Sequence, residues 1–280
     1  MEGWSGTQQT PTVFPLLISD RITCGTARIM LSLLDAKNVP VAAPDRPLSV
    51  AFYDLAKDPK TPVSTVDGTF TWAIEGQRGL YILDADLPRA GIWGAEIHTQ
   101  APGGPAETIR STIQVLDDSS VVKVGDPAPA LATPTLADVG GDVAKIATDP
   151  KPQKAFYETS VADALAAHKP FMLVFATPKF CTSAQCGPTL DRLKPIAAAH
   201  PDVTFINVEP YQLHDVDGQL QPVLDANGQL QATDVTDAWG LWTEPWIFAV
   251  DAKGVVRGSY ELIATDQEIE AAIATITSGG

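Results

Sequence analysis

The chain is poor in cysteine, in basic residues and in long apolar runs. No stretch approaches the eighteen or so apolar residues of a membrane-spanning helix. Nineteen Lys and Arg stand against 34 Asp and Glu, a formal charge of −15. That balance argues against nucleic acid and anionic membrane surfaces as partners, since both need basic patches; the surplus acid reads as a solubilising surface. Met1-Glu-Gly-Trp-Ser lacks the basic and apolar regions of a signal peptide. Three cysteines in 280 residues leave the redox compartment open, because one close pair fits a secreted or a cytosolic redox protein. With so few, the pair Cys181 and Cys186 stands out. It follows the apolar run Phe171–Ala176 and opens a helix-like run. A helix N-terminus stabilises a thiolate through free N–H groups and the helix dipole.

The length suits two domains. Residues 12–116 read as strands and turns. Thr69-Phe-Thr-Trp-Ala-Ile and Thr112-Ile-Gln-Val-Leu alternate apolar with polar. Leu80–Leu87 and Ile92–His98 flank Pro88-Arg-Ala-Gly, a hairpin signal. Short strands with almost no helical period indicate a β-sandwich over residues 1–117. Residues 118–152, rich in Asp, Pro, Ala and Gly, read as linker and lead-in. From 153 to 280 helix and strand alternate: a helix capped by Ser160, a buried strand at 171–176, a helix after Cys186 to about Ala199, a strand at 203–208, a short helix at 235–241, a hairpin through Ala252-Lys-Gly, and a last helix at 266–276. Thr265 and Glu268 form the capping box of that helix. Between Val208 and Val235, Asp215-Val-Asp-Gly-Gln-Leu-Gln is echoed by Asp225-Ala-Asn-Gly-Gln-Leu-Gln. Asp-Gly and Asn-Gly are hairpin turn signals. An EF-hand calcium loop would also need a terminal Glu that is missing here.

The pattern Tyr81…Leu87-Pro88…Gly91…Trp93 resembles immunoglobulin-like domains of bacterial envelope proteins. Val124-Gly-Asp-Pro-Ala-Pro-Ala resembles the opening of peroxiredoxins and membrane-anchored thioredoxin-like reductases. Cysteines between a core strand and its helix, Pro195 within that helix, and Pro245 before the hairpin resemble the thioredoxin fold over about 125–278. The expected class is therefore an all-β immunoglobulin-like sandwich followed by an α/β thioredoxin-like fold. The resemblance implies a cis Pro245 that presents backbone to a partner, an extracytoplasmic protein (periplasmic, secreted or lipoprotein) tethered through a removed N-terminal segment, and protein thiols or disulfides as partners. No cofactor is implied.

The spacing restricts the chemistry. On a helix, residues three apart have Cα atoms roughly 5 Å apart, within disulfide range; residues five apart are roughly 8–9 Å apart and point away from each other. A Cys181–Cys186 disulfide therefore requires Cys181 in a loop or an unwound first turn. The leading expectation is a thiol–disulfide oxidoreductase in which Cys181 attacks and Cys186 resolves, with Glu244, Thr177 and Phe180 tuning the pair. A nearby Glu244 carboxylate should raise the thiol pKa. The alternative is a non-enzymatic binding module with a structural disulfide. Cys181-Thr-Ser-Ala-Gln-Cys-Gly also resembles atypical two-cysteine peroxiredoxins of the bacterioferritin-comigratory type. There a hydroxyl residue stands three before the first Cys, where this chain has Pro178. Thioredoxin-fold copper chaperones suggest a fourth reading, with Cys181, Cys186 and His214 as ligands.

Overall fold

The computed structural model describes Trp4 and residues 11–278. Except for Trp4, the residues behind the signal-peptide reading lie outside the described residues. The chain divides into two compact units, Met1–Ser119 and Ser120–Gly280. Among the described residues no helix is long and apolar enough to cross a membrane.

The first unit contains β1 (Val13–Leu17), β2 (Ile22–Thr23), β3 (Gly25–Asp35), β4 (Leu48–Asp54), β5 (Ser64–Asp67), β6 (Thr69–Ile74), β7 (Arg78–Leu87), β8 (Gly91–Gln100) and β9 (Ala106–Leu116). They form two sheets, β1-β3-β7-β6 and β2-β9-β8-β4-β5. The apolar residues of both meet in one core that includes Ile29, Leu83, Phe52, Trp93 and Ile97. Along β9, Ile109, Ile113 and Val115 are buried while Arg110 and Gln114 are exposed, the alternation of a strand with one wet face. The chain turns at Pro88–Ala90 between β7 and β8, but the expected hairpin is corrected. β7 pairs with β3 and β6, and β8 with β4 and β9, so the turn carries the chain from one sheet to the other. The indole N–H of Trp93 donates to the Arg89 carbonyl within it at 3.0 Å.

The second unit contains α1 (Val161–Ala166), β10 (Phe171–Phe175), α2 (Cys186–Ala199), β11 (Thr204–Val208), β12 (Leu213–Val216), β13 (Gln219–Pro222), α3 (Asp234–Ala238), β14 (Trp246–Val250), β15 (Val256–Glu261) and α4 (Asp266–Thr277). Its main sheet has the order β11-β10-β14-β15. β10 runs parallel to β11 and antiparallel to β14. Every residue of β10 is buried, because the strand is covered on both faces. Met172 and Val174 pack with Leu190, Leu193, Ile269 and Ile273 of α2 and α4. Phe171, Leu173 and Phe175 pack with Val161, Val235 and Trp239. The capping box of α4 is formed, with Thr265 and Glu268 each bonding the other's backbone N–H.

The expected fold class is corrected. Strand accounts for 38 % of the chain and helix for 16 %, so the fold is mainly β, and the expected α/β thioredoxin-like domain is not evident. The physical reason lies in the connections. α1 and α3 hold only six and five residues. Residues 120–160 run as irregular chain broken by single 3₁₀ turns at Val143–Lys145 and Lys154–Tyr157. The segment before α3 adds not a helix but the two-stranded ribbon β12–β13. Asp217 and Gly218 both take positive φ at its tip, +54° and +78°, as a two-residue hairpin turn requires. Asp215 and Asp225, which open the two echoed segments, accept N–H groups of their own turns, as the turn reading expects: Gly218 for the first, Asn227 and Gln229 for the second.

Candidate functional site

Cys181 and Cys186 form a disulfide with Cα atoms 6.1 Å apart. Of the two geometries the spacing allows, the loop is realised: α2 begins at Cys186, and Cys181 lies outside it. A turn closed by the Phe180 N–H on the Thr177 carbonyl, at 3.1 Å, leads away from β10. Ala184 then adopts φ +62°, a left-handed conformation uncommon for a residue with a side chain. That reversal brings the chain back on itself. The Cys186 N–H, one of the free donors of the first turn of α2, points at Cys181 Sγ at 3.2 Å. The pair is asymmetric. Cys186 is 0 % exposed and belongs to the core beneath α2, whereas Cys181 is half-buried.

Glu244 stands against this loop. It is 2 % exposed, and the Glu244–Pro245 peptide is cis. Its Oε1 accepts the Thr182 N–H at 2.7 Å and the Thr182 hydroxyl at 2.8 Å. Its Oε2 accepts the Tyr211 hydroxyl at 2.5 Å, and its backbone carbonyl accepts the Ser183 hydroxyl at 2.7 Å. The cost of burying the carboxylate is thus offset by three hydrogen bonds from two residues, Thr182 and Tyr211. Burial, then the hydrogen bond to Glu244, holds the Tyr211 phenol above its usual range. One donor atom from each of Cys181, Cys186 and Glu244 lies within 4.8 Å of the other two.

The other residues singled out in the sequence are placed as follows. Thr177 is 0 % exposed, and its hydroxyl is 3.4 Å from that of Thr148, beside Glu209. Phe180 is half-buried, with the Lys179 ammonium 5.3 Å from its ring centre. His214 sits exposed on β12 and is not among the residues gathered at the disulfide; Glu244 is. Trp239 is core, Trp246 stacks on Phe248, and Trp242 is 67 % exposed. Cys24 is a free thiol in the first unit, 3.5 Å from the Asp117 carbonyl.

Sequence reasoning missed Glu209, which follows β11 directly. Its Oε1 accepts the Thr148 N–H at 2.6 Å, and its Oε2 is buried without a hydrogen-bond partner. Burial outweighs the Thr177 and Thr148 hydrogen bonds and pushes the carboxyl up to about 7. An acid directly after an apolar strand was the available signal. An open groove of about 550 Å³ runs beside this region, lined in part by Thr148, Pro178, Lys179, Gly187 and Asp191. The Lys179 ammonium reaches across to the Leu220 carbonyl of β13 at 2.8 Å, so the ribbon is bonded to the cysteine loop.

No family model matches this sequence, and no curated protein matches it. Among solved structures, a DUF4426 family protein from Pseudomonas aeruginosa PAO1 is similar over 40 % of this chain and 97 % of its own, at 15 % identity and TM-score 0.28. MtrC from Shewanella baltica OS185 aligns over 56 % of this chain and 29 % of its own, at 12 % identity and TM-score 0.28. A lipoprotein from Bacteroides thetaiotaomicron aligns over 42 % and 90 %, at 12 % identity and TM-score 0.21. Likenesses this weak carry no argument about the present chain.

Proposed function

We propose that the chain acts by thiol–disulfide exchange through Cys181 and Cys186. The observation that carries this reading is the asymmetry of the pair. A half-buried sulfur in a loop faces the N–H of a helix terminus, and its bonded partner is fully buried. Exchange needs a sulfur that a partner can reach, and burial of Cys186 leaves Cys181 as the one a partner meets. In the reductive direction the Cys181 thiolate attacks a partner disulfide and displaces one partner sulfur, which leaves as a thiolate and takes up a proton. The Cys186 thiolate then attacks Cys181 Sγ and expels the second partner sulfur. Two electrons pass to the partner and the pair closes as a disulfide. The oxidative direction is the reverse. The Cys186 N–H stabilises negative charge on Cys181 during the mixed disulfide's formation and collapse.

A disulfide supports an oxidising, extracytoplasmic setting, with protein thiols or disulfides as partners. A second reading has its own support. Full burial of Cys186 and the bonds from Thr182, Ser183 and Tyr211 to Glu244 also suit a structural staple in a non-enzymatic binding module. Equilibration against defined thiol buffers separates the two. A midpoint between about −270 and −120 mV, with a mixed disulfide trapped by Cys186→Ser, supports exchange. A midpoint below about −300 mV with nothing trapped supports the staple.

A further inference from the structure

We propose that, when the disulfide is reduced, Cys181, Cys186 and Glu244 together bind a thiophilic divalent cation of the zinc class. One donor atom of each lies within 4.8 Å of the others. Tetrahedral zinc holds thiolates at about 2.3 Å and carboxylate oxygen at about 2.0–2.2 Å, which sets donors roughly 3.5–3.8 Å apart. The carboxylate oxygen and the sulfur farther from it need to close by at most about 1 Å to meet that spacing. Opening the disulfide lets the sulfurs part to it, and the loop position of Cys181 allows the adjustment.

Glu244 is prepared as a ligand. Thr182 and Tyr211 fill three of the roughly four acceptor positions of its carboxylate. One position remains, and the carboxylate is fixed in direction as outer hydrogen bonds fix metal-bound carboxylates. All three donors are neutral groups. A buried carboxylate beside two thiolates would concentrate negative charge where water cannot offset it. A divalent cation at the centre neutralises that charge. Two soft sulfurs exclude calcium and magnesium, and the hard carboxylate favours a divalent ion over copper(I). Three protein ligands leave a fourth tetrahedral position for water or a ligand.

The chemistry balances with a dithiol as the reductant. It delivers two electrons and two protons to the disulfide and becomes a disulfide itself. Cation binding then displaces both thiol protons to solvent. Metal and disulfide are therefore mutually exclusive states of one site.

The test uses the full chain with Cys24→Ser, reduced anaerobically by a phosphine, which offers the metal no thiol of its own. Free thiols are counted before Co²⁺ is added. One Co²⁺ per chain, sulfur-to-cobalt charge-transfer absorption, displacement by Zn²⁺ and release of two protons are expected. The oxidised protein should show none of these. Glu244→Gln should weaken cobalt binding at least tenfold, and Cys181→Ser should remove the charge-transfer band; far-UV circular dichroism checks that both stay folded. Two free thiols with no cobalt band overturn the site without touching the exchange reading, which is judged by midpoint and trapping. Equal binding by oxidised protein, or by a folded Glu244→Gln, also overturns it. If Glu244→Gln does not fold, the cobalt stoichiometry, proton count and redox dependence of the parent chain decide.

Discussion

Tyr211 donates its hydroxyl to Glu244 Oε2 at 2.5 Å, which ties the chain leaving β11 to the carboxylate beside the disulfide. Tyr211→Phe removes that donor and little else. A hydrogen bond to a charged acceptor contributes about 1.5–3 kcal/mol, so the variant should unfold more easily by that order in urea, with its disulfide intact. A loss below about 0.3 kcal/mol would show that Thr182 alone holds Glu244.

Glu209 makes a pH-dependent contribution to stability. Burial lifts its carboxyl from 4.5 to about 7 in the folded protein, so the folded state retains a proton that the unfolded chain releases. The sign follows directly: the proton is bound in both states below 4.5, stability falls as pH rises from 4.5 to about 7, and above that the slope ends. The span corresponds to about 3 kcal/mol. Glu209→Gln keeps the acceptor for the Thr148 N–H and cannot ionise. The difference in unfolding free energy between variant and parent should grow in the variant's favour from pH 5 to pH 8. A difference constant with pH refutes the assignment.

The first unit responds to acid in the opposite sense. The Arg89 guanidinium binds Asp54 and, with backbone N–H groups of Lys57 and Ala56, lowers that carboxyl from 3.8 to about 2. The stabilisation is complete above pH 3.8 and is lost as pH falls through about 2. Arg89→Met should therefore destabilise the unit at pH 6 and much less at pH 2, as read by the fluorescence of Trp93, which bonds the Arg89 carbonyl. Equal losses at both pH values would mean that packing, not charge, holds Arg89.

Local features were legible in the sequence where one physical rule acted alone. Thr265 with Glu268 caps α4, and Asp217-Gly218 turns the ribbon; Pro88-Arg-Ala-Gly marks a turn but not a hairpin, because which sheet the next strand joins is set by distant partners. The five-residue cysteine spacing demanded a loop or an unwound turn, and the loop is present. Fold class was not legible, because it depends on how much chain the helices occupy. Residues 120–160 carry apolar side chains that pack on the second unit without regular structure, and no periodicity announces that. The surroundings of Glu209 and Tyr211 were not legible for another reason, even though Glu209 stands out as an acid directly after an apolar strand. Their environments come from Thr148 and Glu244, 61 and 33 residues away.

Asymmetry of the cysteine pair predicts asymmetric reactivity. In the Cys24→Ser background, Cys186→Ser leaves the half-buried Cys181, and Cys181→Ser leaves the buried Cys186. Iodoacetamide should modify the first thiol faster than the second by on the order of a hundredfold. Rates within threefold of each other would show that the loop opens freely in the reduced protein and that burial of Cys186 does not protect it.

The ribbon β12–β13 should select partners by size. The Lys179 ammonium bonds the Leu220 carbonyl at 2.8 Å, so the ribbon is held to the loop that carries Cys181. A large partner must pass it, whereas a small disulfide need not. Removing residues 212–232, or cutting the link with Lys179→Met, should change the rate of exchange with a protein disulfide several-fold and that with glutathione disulfide less than twofold. Lys179→Met also removes a positive charge near the loop, so the comparison is made at high salt, where such charge effects are screened. Equal changes for both substrates would remove the ribbon from partner choice and leave it a structural addition to the second unit.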